Sequence, residues 1–170
     1  MENPSVKWGL IGGIGAVVIT LILFIINSES IFGKLSFVSF LGYIIAMVKA
    51  GAEEKQNLGG FMTWGEALKP TFLSYAIATL IASIFMFVLG NFIDPSLNEI
   101  VQNKSIEIAE VFSSYIPEEE MEANVSKIQA TDFFSVFEIG KQYFVGLIFP
   151  GFIIAAIISA IVKKNRPEMA

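Results

Sequence analysis

The chain has 170 residues, a net charge of −5, no cysteine and no histidine. The two missing residue types exclude disulfides, Cys/His zinc sites, a haem on an axial histidine, thiol nucleophiles and Ser-His-Asp triads. The acidic balance and the lack of a basic cluster argue against nucleic acid, and 54% hydrophobic residues with a mean hydropathy of +0.67 exceed what a soluble domain carries.

That excess is clustered. Charge-free runs cover Trp8 to Ser28, Leu35 to Val48, Pro70 to Ile93 and Gln142 to Val162. About 20 apolar residues in a helix cross roughly 30 Å of hydrocarbon. The first, third and fourth runs reach that length. The second reaches it over 36–52 once Lys49 snorkels toward the headgroups. The expectation is four spans, at about 8–28, 35–52, 70–93 and 142–162. A cleaved signal peptide is the rival reading of the first run. Its apolar core is longer than the usual 7–15 residues or so, and only Ser28-x-Ser30 resembles a cleavage site.

The first span contains "GLIGGIGAV". It lacks both the G-x-G-x-x-G spacing and the preceding strand of a nucleotide loop. Gly9-x-x-x-Gly13 reads instead as a close helix contact. The spacing recurs as Gly42, Ala46 and Ala50 in span two and as Ser74, Ala78 and Ala82 in span three. In span four it recurs as Gly151, Ala155 and Ser159. Small residues four apart let backbones approach where lipid supplies no hydrophobic drive.

Spans two and three are joined by "NLGGFMTWGEALKP", residues Asn57 to Pro70. Thr63-x-x-Glu66 fits a capping box, with Met62 and Ala67 at the staple positions. Phe61, Trp64 and Leu68 share one face, as an interfacial helix needs. Lys69 can snorkel, and Pro70 can bend the helix as it enters the bilayer. Structural duties account for every residue here. The functional alternative is an interfacial or partner site made by Thr63, Trp64, Glu66 and Lys69.

Span three is followed by a polar, acidic insertion over 94–141. Asp94-Pro95 reads as a helix start. Leu97, Ile100, Val101, Ile108, Val111, Phe112 and Tyr115 then recur at helical spacing. Glu118, Glu119 and Glu120 open a second helix after Pro117, where the dipole favours anions. With Glu122 they lack calcium-loop spacing, so a solvated helix start is the expectation. Ser135-x-x-Glu138 fits another capping box. Phe133, Phe134, Phe137, Tyr143 and Phe144 form an aromatic approach to span four, which Pro150-Gly151 should kink.

No Asp, Glu, Lys or Arg lies at the centre of a span, where coupled carriers place them. Thr20, Tyr43, Ser74, Tyr75, Thr79 and Ser83 are the polar candidates within the spans, and such hydroxyls usually bond backbone or a neighbouring helix. With the N-terminus inside, seven basic residues fall on the inner side and four on the outer, three of them diluted over the long insertion. That bias places both termini in the cytoplasm.

"LGGFMTWGEALKPTFLSYAIATLIASIF", followed by "IDP", resembles the small membrane proteins of domain-of-unknown-function family 4199, with best-matching positions at Gly60, Phe61, Gly65, Ala67, Lys69, Asp94 and Pro95. The resemblance implies the inner membrane of a Bacteroidota cell. The family carries no catalytic assignment, so no site residue transfers.

The expectation is therefore one all-α membrane domain over 1–170: a four-helix bundle with two short amphipathic helices between spans three and four. Its packing residues are Gly9, Gly13, Gly42, Ala46, Ser74, Ala78, Ala82, Gly151 and Ala155. The leading function is a non-enzymatic accessory or scaffold protein, without cofactor, metal or nucleic acid. Its partners are the lipid bilayer and a second copy or another membrane protein. The alternative is a small oligomeric channel or uncoupled transporter. A lipid-active enzyme ranks third, since two carboxylates would have to face one site.

Overall fold

The structure, a computed structural model, describes residues 3–166. Among them the chain is helical, and the only β pairing is an isolated antiparallel bridge between Met62 and Lys164. Three helical stretches are long and apolar enough to cross a membrane: Pro4–Ile26, Trp64–Ile93 and Val136–Val162.

Helix α1, Pro4–Ile26, starts where Asn3 accepts from the Ser5 amide at 2.9 Å, with proline at the first position. It ends at Asn27, whose side chain caps the 3-10 turn Ser28–Phe32 that begins the return. Helix α2, Phe37–Asn57, runs back beside α1. It falls short of a span on composition because Lys49, Glu53, Glu54 and Lys55 crowd its second half. It nevertheless covers the same depth as α1, because Glu53 near its end meets Lys7 near the start of α1 at 3.0 Å.

Helix α3, Trp64–Val88, passes through Pro70 unbroken and continues as a π-helical turn, Leu89–Ile93. The insertion then supplies α4, Leu97–Val111, and α5, Glu118–Ala130. The first of these starts later than Asp94-Pro95 suggests. Asp94 spends its side chain on the Ser96 amide and hydroxyl, an Asx-type turn that delays the helix. Helices α6, Val136–Gly146, and α7, Ile153–Val162, flank a π-helical segment, Leu147–Phe152, in which Phe149 leaves helical geometry. The last crossing is thus kinked at Pro150, as expected, with the non-helical residue at Phe149 just before it.

Small residues make up much of the buried helix surface, beside larger ones such as Met47, Leu89 and Leu97. Gly12, Gly13, Ala16, Ala46, Ala50, Ala67 and Ala78 are buried, whereas Ile14, Ile45, Ile84 and Ile161 are at least half exposed. A soluble protein would hide those isoleucines. Large apolar residues outside and small ones inside suit a lipid solvent.

The α1–α3 seam is the tightest contact. A methyl group placed on Gly9 would lie 3.0 Å from the Ser74 carbonyl, and one on Gly13 3.1 Å from that of Ala78. One on Gly12 would lie 2.9 Å from the Ala46 methyl of α2. Ser74, Ala78 and Ala155 are fully buried, and Gly151 packs under the Tyr75 ring. Gly42 and Ala82 stand apart. A side chain on Gly42 would meet nothing within 4 Å, and Ala82 lines a cavity.

On the outer flank of α3 the Phe72 ring packs edge-on against Phe152 at 6.0 Å. Leu80 remains 44% exposed. Replacing Ala78 with leucine should therefore force α1 off α3. The expected destabilisation is roughly 1–3 kcal/mol, the usual cost of overpacking, read as a lower melting temperature in detergent. Leu80→Phe should leave that temperature nearly unchanged.

Candidate functional site

Polar chemistry gathers at the two ends of the bundle. At the end that carries the termini, α2 closes with a Schellman motif. Gly59 and Gly60 take φ of +79° and +89°, so the Gly59 amide reaches the Gln56 carbonyl and the Gly60 amide that of Lys55. The capping box at α3 is complete. Glu66 Oε2 accepts from the Thr63 amide at 2.7 Å and from the Thr63 hydroxyl at 2.8 Å, while that hydroxyl oxygen accepts from the Glu66 amide. Trp64 Nε1 donates to the Ala156 carbonyl of α7 at 3.0 Å.

Three of the four residues singled out here from sequence thus hold the fold. Of the four, Lys69 alone makes no side-chain hydrogen bond among the described residues. It borders a cleft of about 640 Å³ with Glu54, Asn57 and Glu66.

Sequence reasoning missed the partners that lock this end. Met62 and Lys164 exchange both backbone bonds at 2.8 Å, and Lys55 Nζ donates to the Val162 carbonyl at 2.9 Å. Glu53 accepts from Trp8 Nε1 at 2.7 Å and from Lys7 Nζ at 3.0 Å. These contacts join residues far apart in the chain, and no local pattern announces them.

The opposite end holds a cavity of about 350 Å³, within the range of small-ligand sites. Its walls come from α2, α3 and α6, and Val101, Phe133 and Phe134 of the insertion close it. The kinked last crossing shapes it. Pro150 has no N–H to offer the Gly146 carbonyl, which an unbroken helix would pair with it. The Tyr75 hydroxyl donates to that carbonyl at 3.3 Å. Gly151 lacks the side chain that would strike the Tyr75 ring.

A second device docks the insertion. Phe134 lies directly over Gly90 in the π-helical turn, where any side chain would collide with the ring. Asn91 donates to the Phe134 carbonyl at 2.7 Å, and Asn98 accepts from the Phe133 amide at 2.8 Å.

The hydroxyls divide into two sets. Thr20, Ser74 and Thr79 donate to carbonyls of their own helices, and Thr71 shares a hydrogen with Ser159 of α7 at 2.9 Å. The Tyr143 hydroxyl donates to the Ala76 carbonyl at 3.2 Å. Tyr43, Ser83 and Gln142 make no side-chain hydrogen bond among the described residues. All three line the cavity, and Gln142 is exposed on the surface as well.

Gln142 was legible as the one amide in its apolar run. Tyr75, Thr79 and Ser83 face this space, whereas Ser74 and Ala78 face α1. No carboxylate, amine or guanidinium lines the cavity. Among the described residues no group of acidic side chains is placed to hold a metal, and Glu118, Glu119 and Glu120 are exposed in the first turn of α5.

The family model described as "Protein of unknown function (DUF4199)" matches residues 7–164. The chain belongs to this family. The match runs from the start of α1 past the end of α7, so the DUF4199 unit includes the bundle, the insertion and the cavity. No curated protein and no solved structure shows significant similarity to it.

The Trp8 indole and the Lys7 ammonium hold the Glu53 carboxyl below the usual carboxylate value. Stability from a depressed pKa is fully present above the unfolded value, about 4.3, and is lost as pH falls through the folded one. Detergent-purified protein should therefore melt at progressively lower temperature as pH falls through that window. Glu53→Gln should melt lower than wild type at neutral pH and lose this part of the acid dependence.

Proposed function

We propose that this protein is a non-enzymatic accessory protein of the bacterial inner membrane that binds an uncharged polar ligand in the insertion-end cavity. The observation that carries the reading is the lining. It offers hydroxyls and one amide, with no group whose ordinary pKa lies near neutrality. General acid–base catalysis works best with such a group. An ionic ligand would lose its hydration there without gaining a counter-charge.

In this reading α2 is a fourth span. At 21 residues it is about 31 Å long at the usual helical rise, and it covers the depth of α1. Its charged second half lies at the polar termini end. Both termini are cytoplasmic, in keeping with the basic residues concentrated there. Helices α4 and α5 lie over the outer ends of the spans. Leu97, Ile100 and Val101 anchor α4 to the bundle, while Ile108, Val111, Phe112 and Tyr115 stay exposed at headgroup level.

The channel alternative draws less support. Tyr43 and Tyr75 belong both to the cavity lining and to the packed cluster around Met47, Ala155 and Ile158 beneath it.

Matched sets of neutral, anionic and cationic small solutes test the function. Neutral polyols and amides should raise the melting temperature, since a ligand of the native state stabilises by mass action. They should be recovered chemically unchanged. Stabilisation by ionic solutes alone, or conversion of any solute, would reject the reading.

Single cysteines test the topology, because the chain has none of its own. Ser5 is buried, so exposed Asn165 and Ser126 are the better positions. In cells with a permeabilised outer membrane, an impermeant thiol reagent should label position 126 and not position 165. The reverse pattern would invert the orientation.

A further inference from the structure

The cavity adjoins a groove on the flank of the bundle. A second depression of about 430 Å³ lies between α3 and α6 on the outside of the bundle, and its lining is almost wholly apolar. Leu80, Ile84 and Phe87 form one bank, and Val136 and Phe144 the other. Gly140 lies in its floor, where an added methyl group would meet nothing within 4 Å. The groove and the cavity share Ser83, Ile139 and Tyr143 as a common wall. An apolar surface open to the hydrocarbon therefore adjoins a pocket of unspent hydrogen-bonding groups, at the depth of the bilayer.

We infer that the site takes a neutral single-chain amphiphile, with a hydroxyl-bearing head in the cavity and its acyl chain in the α3–α6 groove. This rests on the cavity-binding reading above and names the ligand class. Three features select the head. Tyr43, Ser83 and Gln142 have uncommitted donors, while the oxygens of Tyr75, Thr79 and Tyr143 have given their hydrogens to carbonyls and can still accept. A hydroxyl both donates and accepts, so a polyol satisfies both sets. A phosphate or ammonium head finds no counter-charge in the lining, and burying it unpaired is costly. The groove selects the tail, because a chain lying in it stays in apolar surroundings while its head turns inward past Ser83. The insertion closes the cavity with Phe133 and Phe134, which leaves the flank between α3 and α6 as the approach from lipid.

The full-length protein in a mild detergent is titrated with 1-oleoylglycerol, oleoyl-lysophosphatidylglycerol and glycerol, and bound mass is read by native mass spectrometry. One 1-oleoylglycerol per chain is expected, with the anionic analogue of the same tail bound about tenfold more weakly or worse. Tyr43→Phe and Gln142→Leu should each weaken 1-oleoylglycerol by roughly three- to tenfold, the scale of one lost hydrogen bond. Tyr43→Phe keeps the ring that packs edge-on against Tyr75 at 5.8 Å, so an unchanged melting temperature is expected. Gly140→Leu occupies open space in the groove. It should weaken 1-oleoylglycerol and leave glycerol binding as it was. Equal binding of the anionic analogue overturns the inference, as does indifference of 1-oleoylglycerol to Tyr43→Phe and Gln142→Leu. If glycerol binds and depends on Tyr43 but 1-oleoylglycerol does not bind, the amphiphile inference falls and the cavity reading stands. If neither binds, both fall.

Discussion

The architecture depends on the contact between α1 and α3. Lipid gives apolar helices no reason to prefer each other over hydrocarbon, so close van der Waals packing and hydrogen bonds must supply the association. Gly9 and Gly13 bring α1 within contact of the α3 backbone at Ser74 and Ala78. Gly12 does the same for α2 at Ala46. One helical turn of α1 thus fixes two neighbours at once. The hydroxyls on this seam are silent because their hydrogens go to their own helices, as Ser74 to the Thr71 carbonyl.

The same helix α3 turns a looser face toward the last crossing, and the cavity lies there. Pro150 removes the α-helical donor of the Gly146 carbonyl, and a carbonyl at such a break gains from a second partner inside a bilayer. Tyr75 supplies one. A defect in one helix and a hydroxyl on another therefore position each other, and the crossing is divided into α6 and α7 at the level of the cavity. π-helical turns often mark functional positions. Here they occur at Leu89–Ile93 and Leu147–Phe152, one receiving the insertion through Gly90 and the other following the cavity wall at Gly146.

The two ends of the bundle are held by different means. The termini end is laced by backbone and side-chain bonds among α2, the connection, α3 and the residues after α7. The other end is closed by apolar packing of Leu23, Ile31, Leu89, Leu97 and Phe134. The aromatic approach to the last crossing splits accordingly. Phe133 and Phe134 turn inward to roof the cavity, while Phe137 and Phe144 stay exposed. Gly90 makes the room that the Phe134 ring fills.

Sequence alone determined what local rules control. Apolar runs located three membrane-length helices, the Thr63–Glu66 spacing foretold a cap, and residues Gly9, Gly13, Ser74 and Ala78 lay four apart where backbones later meet. These follow from composition and helical period, which act over one or two turns. Tertiary structure decided the rest. It assigned Gly12 to α2, withdrew Gly42 and Ala82 from the tight contacts, and separated Tyr43, Ser83 and Gln142 from the hydroxyls already satisfied. The reason is physical: whether a polar group is spent or free depends on which carbonyl another helix leaves unpaired beside it, and no residue's neighbours in sequence carry that information.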